Sequence, residues 1–457
     1  MAKSPWAGGL LGRGMMTAGQ SVVVAAGALL AFSVAVRFSG ADNVGVLTLL
    51  TSISVLGRLF DVSGAGGTAR FVAIPSFRER FTQSQIIEVI FLNCLLFNAI
   101  ICVVLFLVFD NLIGLLFDEA HALVGASLVP YVLATAILSA ASYVLASGLD
   151  GVGKADERAL ILSFATVVLV GMTVALVPSL GVVGLAAAQV AQQVCVLILC
   201  WWRLRKHVPG LGVVPSSWSW DIVRLVIGNS SRLTVTTALS SGTDPVLKLA
   251  LNTAGGPAIV ATYDLANRFV GALRLVVHSA LTPSLPVFAE RYDLDKARFQ
   301  STLMRILMLM LPLPVLIVLA NAVLSPVVGH VAFGHASSEF LFMCAVAGAG
   351  VAISVVALPM SFAAQGAGIL RWLLVGNTVP LVAAAAMFLA GVQDERLIVV
   401  VYASSLAAQS LISIFGGIHQ MRIRDGVPTY TGLLLVVALV VACSPLAALW
   451  LYGRVGL

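Results

Sequence analysis

Apolar runs long enough to cross a bilayer recur along the chain at about 15–36, 44–66, 87–109, 122–147, 159–178 and 181–202. A second set follows at about 225–250, 259–287, 306–325, 338–363, 372–391 and 397–420, with a last run at about 429–452. About thirteen spanning helices are therefore predicted, and three of them are not apolar all round. In the eighth, Asp264, Asn267, Arg268, Gly271, Arg274, His278 and Thr282 fall within an arc of about 120°. Leu275 is the one large apolar residue among them. From Asp264 to Thr282 that helix rises about 27 Å, close to the thickness of the hydrocarbon layer. In the seventh, Asn229, Ser230, Thr236, Thr237, Ser240, Ser241, Asp244 and Lys248 share a face; in the second, Thr51, Ser54, Arg58 and Asp61 do. Charge at such depth is costly unless it faces a bundle interior or a wet cavity. The three stripes predict a central cationic cavity lined by spans one, two, seven and eight.

Composition places the chain in a membrane. Of 457 residues, 60% are hydrophobic and 10% charged, and the mean hydropathy is +1.04; a soluble domain is far more polar. The net charge of +6 does not point to nucleic acid, because the cytoplasmic loops of a multi-pass protein collect Lys and Arg. With the N-terminus inside, 18 of the 26 Lys and Arg residues fall in cytoplasmic segments. Only Arg37, Arg396 and Arg454 fall outside, and Arg58, Arg232, Lys248, Arg268 and Arg274 lie within spans. That asymmetry fixes the expected orientation. The six cysteines (Cys94, Cys102, Cys195, Cys200, Cys344, Cys443) all sit in apolar runs without a CxxC pair, so they read as small core residues. Lys3 and Arg13 precede a first apolar run too long for a cleaved leader, which reads as an uncleaved span.

The longest segment between spans, about 203–224, separates six runs from the next six and carries Trp201, Trp202, Trp218 and Trp220 at its ends, as interfacial aromatics. The expected organisation is an N-terminal lobe at 1–203, a cytoplasmic linker at 204–224, a C-terminal lobe at 225–421 and an extra terminal helix at 422–457. The lobes read as copies. A shift of 216 brings Arg58 onto Arg274, and a shift of 215 brings Gly151 and Gly153 onto Gly366 and Gly368. Six spans per copy give both copies one orientation.

Arginine offers a planar fork suited to phosphate or carboxylate. Arg58, Arg268 and Arg274, with Lys248, are the candidate receivers of an anionic headgroup, and Asn267, His278, Ser240 and Thr237 line the same faces. A second reading is open: Asp264–Arg268 and Asp244–Lys248 are i, i+4 pairs and Arg58–Asp61 an i, i+3 pair, which can serve only to hold helices together. Arg274 has no carboxylate at either spacing and is the strongest single candidate. Asp61, Asp244 and Asp264 are candidates for a coupling proton or sodium ion as well as for these structural pairs, although each has a basic neighbour favouring its ionised form. His278 is a lone histidine. His330 and His335 have no third ligand nearby, so no metal is expected. Prolines at 245, 283, 286, 312, 314, 326, 359 and 380 are expected to bend or break spans.

Residues 148–155, GLDGVGKA, match the phosphate-loop pattern GxxxxGK, but Ala155 stands where Ser or Thr would bind magnesium. A transmembrane run precedes the motif in place of a strand, so a tight inner turn anchored by Lys154 and Arg158 is expected, without ATP. No Ser-His-Asp, HExxH or DxD-like constellation occurs, which points away from an enzyme and from any cofactor.

GADNVGVLTLLTSISVLGRLFDVSGAGGTARFVA resembles the first-to-second-span signature of polysaccharide flippases, with an outer GxxxxG turn, then Asp, a Gly-rich stretch and Arg. LASGLDGVGKADERALI is similar to their inner turn after span four, and TDPVLKLALNTAGGPAIVATYDLANRFVGALRL to their seventh-to-eighth-span hairpin. The resemblance covers about 15–420 in arrangement. It is to the multidrug/oligosaccharidyl-lipid/polysaccharide (MOP) exporter superfamily, nearest the Wzx-type oligosaccharide flippases. It implies an all-α polytopic membrane protein with two six-helix lobes in a V around a central cavity, plus one C-terminal helix. It also implies a substrate, an undecaprenyl-diphosphate-linked oligosaccharide moved to the outer leaflet of a bacterial cytoplasmic membrane for O-antigen, capsule or exopolysaccharide synthesis. The implied partners are that anionic lipid, membrane lipids and a polysaccharide polymerase or export machinery, with the transporter itself monomeric. Members usually have twelve or fourteen spans, so thirteen is a departure. A cation-coupled multidrug exporter and a lipid II flippase of the same superfamily remain open alternatives, as does a membrane glycan polymerase or ligase, although the short outer loops weigh against the last.

Overall fold

The structure is a computed structural model and describes residues 6–56, 68–73, 79–281, 288, 296–310, 312–335, 337–366 and 371–425. Every regular element among them is helical. In chain order they are α1 (Trp6–Ser39), α2 (Ala41–Leu56), α3 (Thr68–Ala73), α4 (Gln83–Leu116), α5 (Glu119–Gly151), α6 (Ala155–Leu180), α7 (Val182–His207), α8 (Trp220–Leu281), α9 (Lys296–Met310), α10 (Leu313–Phe333), α11 (Ser338–Gly366), α12 (Arg371–Leu389) and α13 (Glu395–Asp425). Among the described residues, nine stretches are long and apolar enough to cross a membrane. The remaining expected spans are the three with polar stripes and the run at 429–452, which lies outside the described residues. The chain is a multi-pass membrane protein.

Most helices extend beyond their apolar runs. The run at 87–109 becomes Gln83–Leu116 because Thr82 and Gln85 form a capping box that starts the helix a turn early. Span nine, expected at 306–325, is carried by α9, described as far as Met310, and by α10, which starts after Pro312 with Pro314 in its first turn, where a ring without an N–H is tolerated. One expectation changes. Spans seven and eight abut without a connecting loop, and the chain turns at Gly256, the one non-helical residue within α8 (φ 75°). Pro245, Pro326, Pro359 and Pro380 lie inside helices. The GLDGVGKA segment is a tight helix–turn–helix closed by Gly153 at φ +79°.

The chain divides into two compact units, 30–252 with 256–261, and 1–29 with 253–255 and 262–457. The divisions fall within α1 and α8. In the first unit α5 is the hub, packed by α2, α3, α4 and α7, and α6 rests on α7. Its buried face is rich in small residues, including Ala140, Ala141, Ser147, Gly148 and Gly151, which lets backbones approach closely. A Cβ at Gly151 would lie 2.8 Å from the Ala69 carbonyl oxygen of α3. In the second unit α11 is the hub, with 89% of its apolar window buried against 28–39% for the other spans. It is packed by α9, α10 and α13, and α12 rests on α13. Asn321 of α10 donates to the Cys344 carbonyl at 2.6 Å and lies over Gly348.

Candidate functional site

In the unit built on α11, the candidate groups are carried by the last part of α8. The 3.6-residue repeat puts Asp264 and Arg268 one turn apart, and Arg268 Nε donates to Asp264 Oδ2 at 2.5 Å. The Asp264 side chain is 4% exposed and the Arg268 side chain 37%, so the carboxylate is enclosed while the guanidinium keeps an open edge. Tyr263, also buried, meets Tyr402 of α13 edge-on at 6.4 Å. Arg274 is partly buried, within electrostatic range of Tyr402 and His278. Among the described residues it has neither an ion pair nor a hydrogen bond. His278 stacks at an angle on Phe362 of α11, 5.1 Å between centroids. The next residue, Ser279, about 100° around the helix, meets Ser21 of α1 at 2.8 Å.

The unit built on α5 carries a second polar cluster. Lys248 is buried, and its ammonium contacts Asp244 Oδ2 at 2.7 Å and donates to Ser52 Oγ of α2 at 3.1 Å. The Ser52 hydroxyl donates to the Thr48 carbonyl at 2.8 Å, leaving its lone pairs for the ammonium. The two helices are held close at α2's other end, where a Cβ on Gly45 would overlap the carbonyl of Pro257.

Both expected i, i+4 pairs therefore form. Arg58 and Asp61 lie outside the described residues, as do the side chains of Thr237 and Ser240; Asn267 lies on the Arg268 face, half-buried. Three participants were not anticipated. Ser52 is off the polar stripe of its own helix, and Tyr402 lies on a span with no stripe at all. Glu88 is a buried carboxylate near the start of α4, and it accepts from the backbone N–H groups of Gly212, Ser216 and Ser217 at 3.3, 3.1 and 2.8 Å. An isolated acid in an apolar run was the available signal for it.

The chain is similar over more than nine-tenths of its length to solved membrane transporters. It superposes on a multidrug resistance MATE family transporter of the MOP superfamily in its inward-facing conformation with a TM-score of 0.73, at 15% identity over 91% of this chain and 100% of that one. The fold is that of the MATE transporters. A MOP superfamily transporter from Pyrococcus furiosus, whose binding pocket has reversed polarity suggesting a different function, matches with a TM-score of 0.61 at 14% identity over 92% of this chain and 99% of that one. A variant of a Vibrio cholerae MATE transporter matches at 0.58 and 15% over 92% and 98%. No protein-family model and no curated protein sequence matches the chain. At these identities the MATE likeness establishes the fold.

Proposed function

We propose that the chain is a flippase that moves a polyprenyl-diphosphate-linked oligosaccharide from the cytoplasmic to the outer leaflet of a bacterial cytoplasmic membrane by alternating access. The observation that carries this reading is Arg274, a cation on a spanning helix with no carboxylate partner among the described residues. A guanidinium without a carboxylate among the described residues gains most from an anionic ligand at that depth. Arg268 adds a second fork, oriented by Asp264. A diphosphate-sugar headgroup cannot enter hydrocarbon alone because its charges would lose their hydration. Arginines in a wet path replace that hydration while the polyprenyl tail stays in lipid. Reversed pocket polarity in the Pyrococcus furiosus transporter supports the idea that this fold serves chemically different cargoes.

A second reading is a cation-coupled multidrug exporter. It is favoured by the multidrug resistance MATE neighbour and by the buried Asp264, an acid placed where an exported cation or coupling ion could be held. Proteoliposomes with a fluorescent polyprenyl-diphosphate sugar separate the two. Wild type is expected to translocate the lipid, Arg274→Ala to lose most of that activity while still folding, and Arg274→Lys to keep part of it. Exchange of cationic dyes for sodium or protons, with no lipid movement, would establish the exporter instead.

A further inference from the structure

The linker between α7 and α8 is a built structure. Glu88 gathers three of its backbone N–H groups, and Trp201 Nε1 donates to the Val213 carbonyl at 3.0 Å. This ties residues 212–217 to the start of α4 and sets where α8 begins. The capping box at Thr82 fixes the other side. Between the two helix starts lies a cleft of about 470 Å³, lined by Arg80, Phe81, Asp221, Arg224 and Leu225. Arg80 and Arg224 are exposed, and neither has an ion-pair partner among the described residues. Asp221 sits in the first turn of α8, where a carboxylate complements the helix dipole, and the cleft stays net cationic. Beside it, Trp218 and Trp220 are exposed and meet edge-on at 5.5 Å, the placement of aromatics that anchor at a membrane–water interface. The Lys/Arg distribution assigns this end to the cytoplasmic side.

We infer that this cleft binds the phosphate group of an anionic phospholipid in the cytoplasmic leaflet. Two guanidinium forks match phosphate oxygens, Phe81 and Leu225 offer an apolar floor for the glycerol region, and the tryptophans set the depth at which a headgroup lies. Free phosphate has the same charge chemistry but gains nothing from that apolar floor or from the membrane plane. The site is separate from the α8 stripe, and it can fail while either transport reading holds.

The test uses the full chain in mixed phosphatidylglycerol–phosphatidylcholine nanodiscs, with lipid retention read by native mass spectrometry after gentle extraction. Wild type is expected to retain phosphatidylglycerol over phosphatidylcholine. Arg80→Gln or Arg224→Gln is expected to weaken that preference about fivefold each, and the double variant about 25-fold. Changing both to Lys recovers much of it, and Arg396→Gln, in a segment expected on the outer side, leaves it intact. Equal retention by wild type and the double Gln variant overturns the proposal. So does an equal loss in Arg396→Gln, which would mean only general electrostatic attraction, or displacement of the lipid by millimolar inorganic phosphate.

Discussion

Lys248 and Asp244 lie one turn apart, and the wheel alone made that pair legible. Ser52 was not legible, because the hydroxyl that completes the cluster comes from another helix, off that helix's polar stripe. The consequence is energetic. Removing one partner of a buried pair leaves the other charge without compensation, at a cost of about 3–5 kcal/mol. Asp244 is 35% exposed, so Lys248→Ala is expected near the lower figure. Replacing both with well-packed apolar residues of similar volume, Lys248→Met with Asp244→Leu, should be close to neutral. Thermal unfolding of the three variants in detergent measures this, and a double variant as unstable as the single one would mean the pair is not acting as a unit. Arg274 is the contrast within the same polar set. Its lack of a neighbouring carboxylate could be read from spacing, whereas the approach of Tyr402 and the stacking of His278 on Phe362 depend on how three helices pack.

Elements were legible wherever a hydrophobic run and a helix have the same cause. The run marks what lies in hydrocarbon, while the backbone ladder continues until a cap or a proline stops it, so most helices extend beyond the run that revealed them. The GxxxxG turn separates into two physical demands. Gly40 has φ +82°, in the left-handed region where other residues cost about 1–2 kcal/mol. Gly45 is ordinary helix but lies against the Pro257 backbone. Gly45→Ala is therefore expected to destabilise by about 1–3 kcal/mol through overpacking, and Gly40→Ala by a similar amount through strain. Combining Gly45→Ala with Lys248→Ala should give a non-additive loss, since both act on the contact between α2 and α8. The linker held by Glu88 was not legible, because a backbone N–H cluster has no sequence signature. Glu88→Gln keeps one acceptor oxygen but leaves part-buried N–H groups short of partners, at about 1 kcal/mol, the lower end of the range for a buried group. Faster proteolysis within 208–219 and a shifted Trp201 fluorescence are the expected readouts, with helix content unchanged.

At the scale of the molecule, the internal repeat shows as a pattern of packing. In one unit α4 pairs with α5, α5 with α7, and α6 with α7; in the other, α10 pairs with α11, α11 with α13, and α12 with α13. The same order of third-to-fourth, fourth-to-sixth and fifth-to-sixth spans recurs, which the sequence retained only as a few residues at offsets of 215 and 216. A duplicated even-numbered set must enter and leave on one face, so the Lys/Arg asymmetry has a definite test. Residues 208–219 follow six expected spans and residues 390–394 follow eleven, so the two segments belong on opposite sides of the membrane. Val214, 69% exposed, and Gln393, also exposed, suit single-cysteine reporters. Cys94, Cys102, Cys200 and Cys344 are buried, so replacing Cys195 and Cys443 removes most background labelling. In intact bacterial cells, an impermeant maleimide should label Gln393→Cys and spare Val214→Cys until the membrane is opened. Labelling of Val214→Cys alone would invert the protein and move the Arg80–Arg224 cleft to the outer face. Labelling of both in intact cells would mean an even number of crossings between them, and the span assignment across α8 to α12 would have to be redrawn.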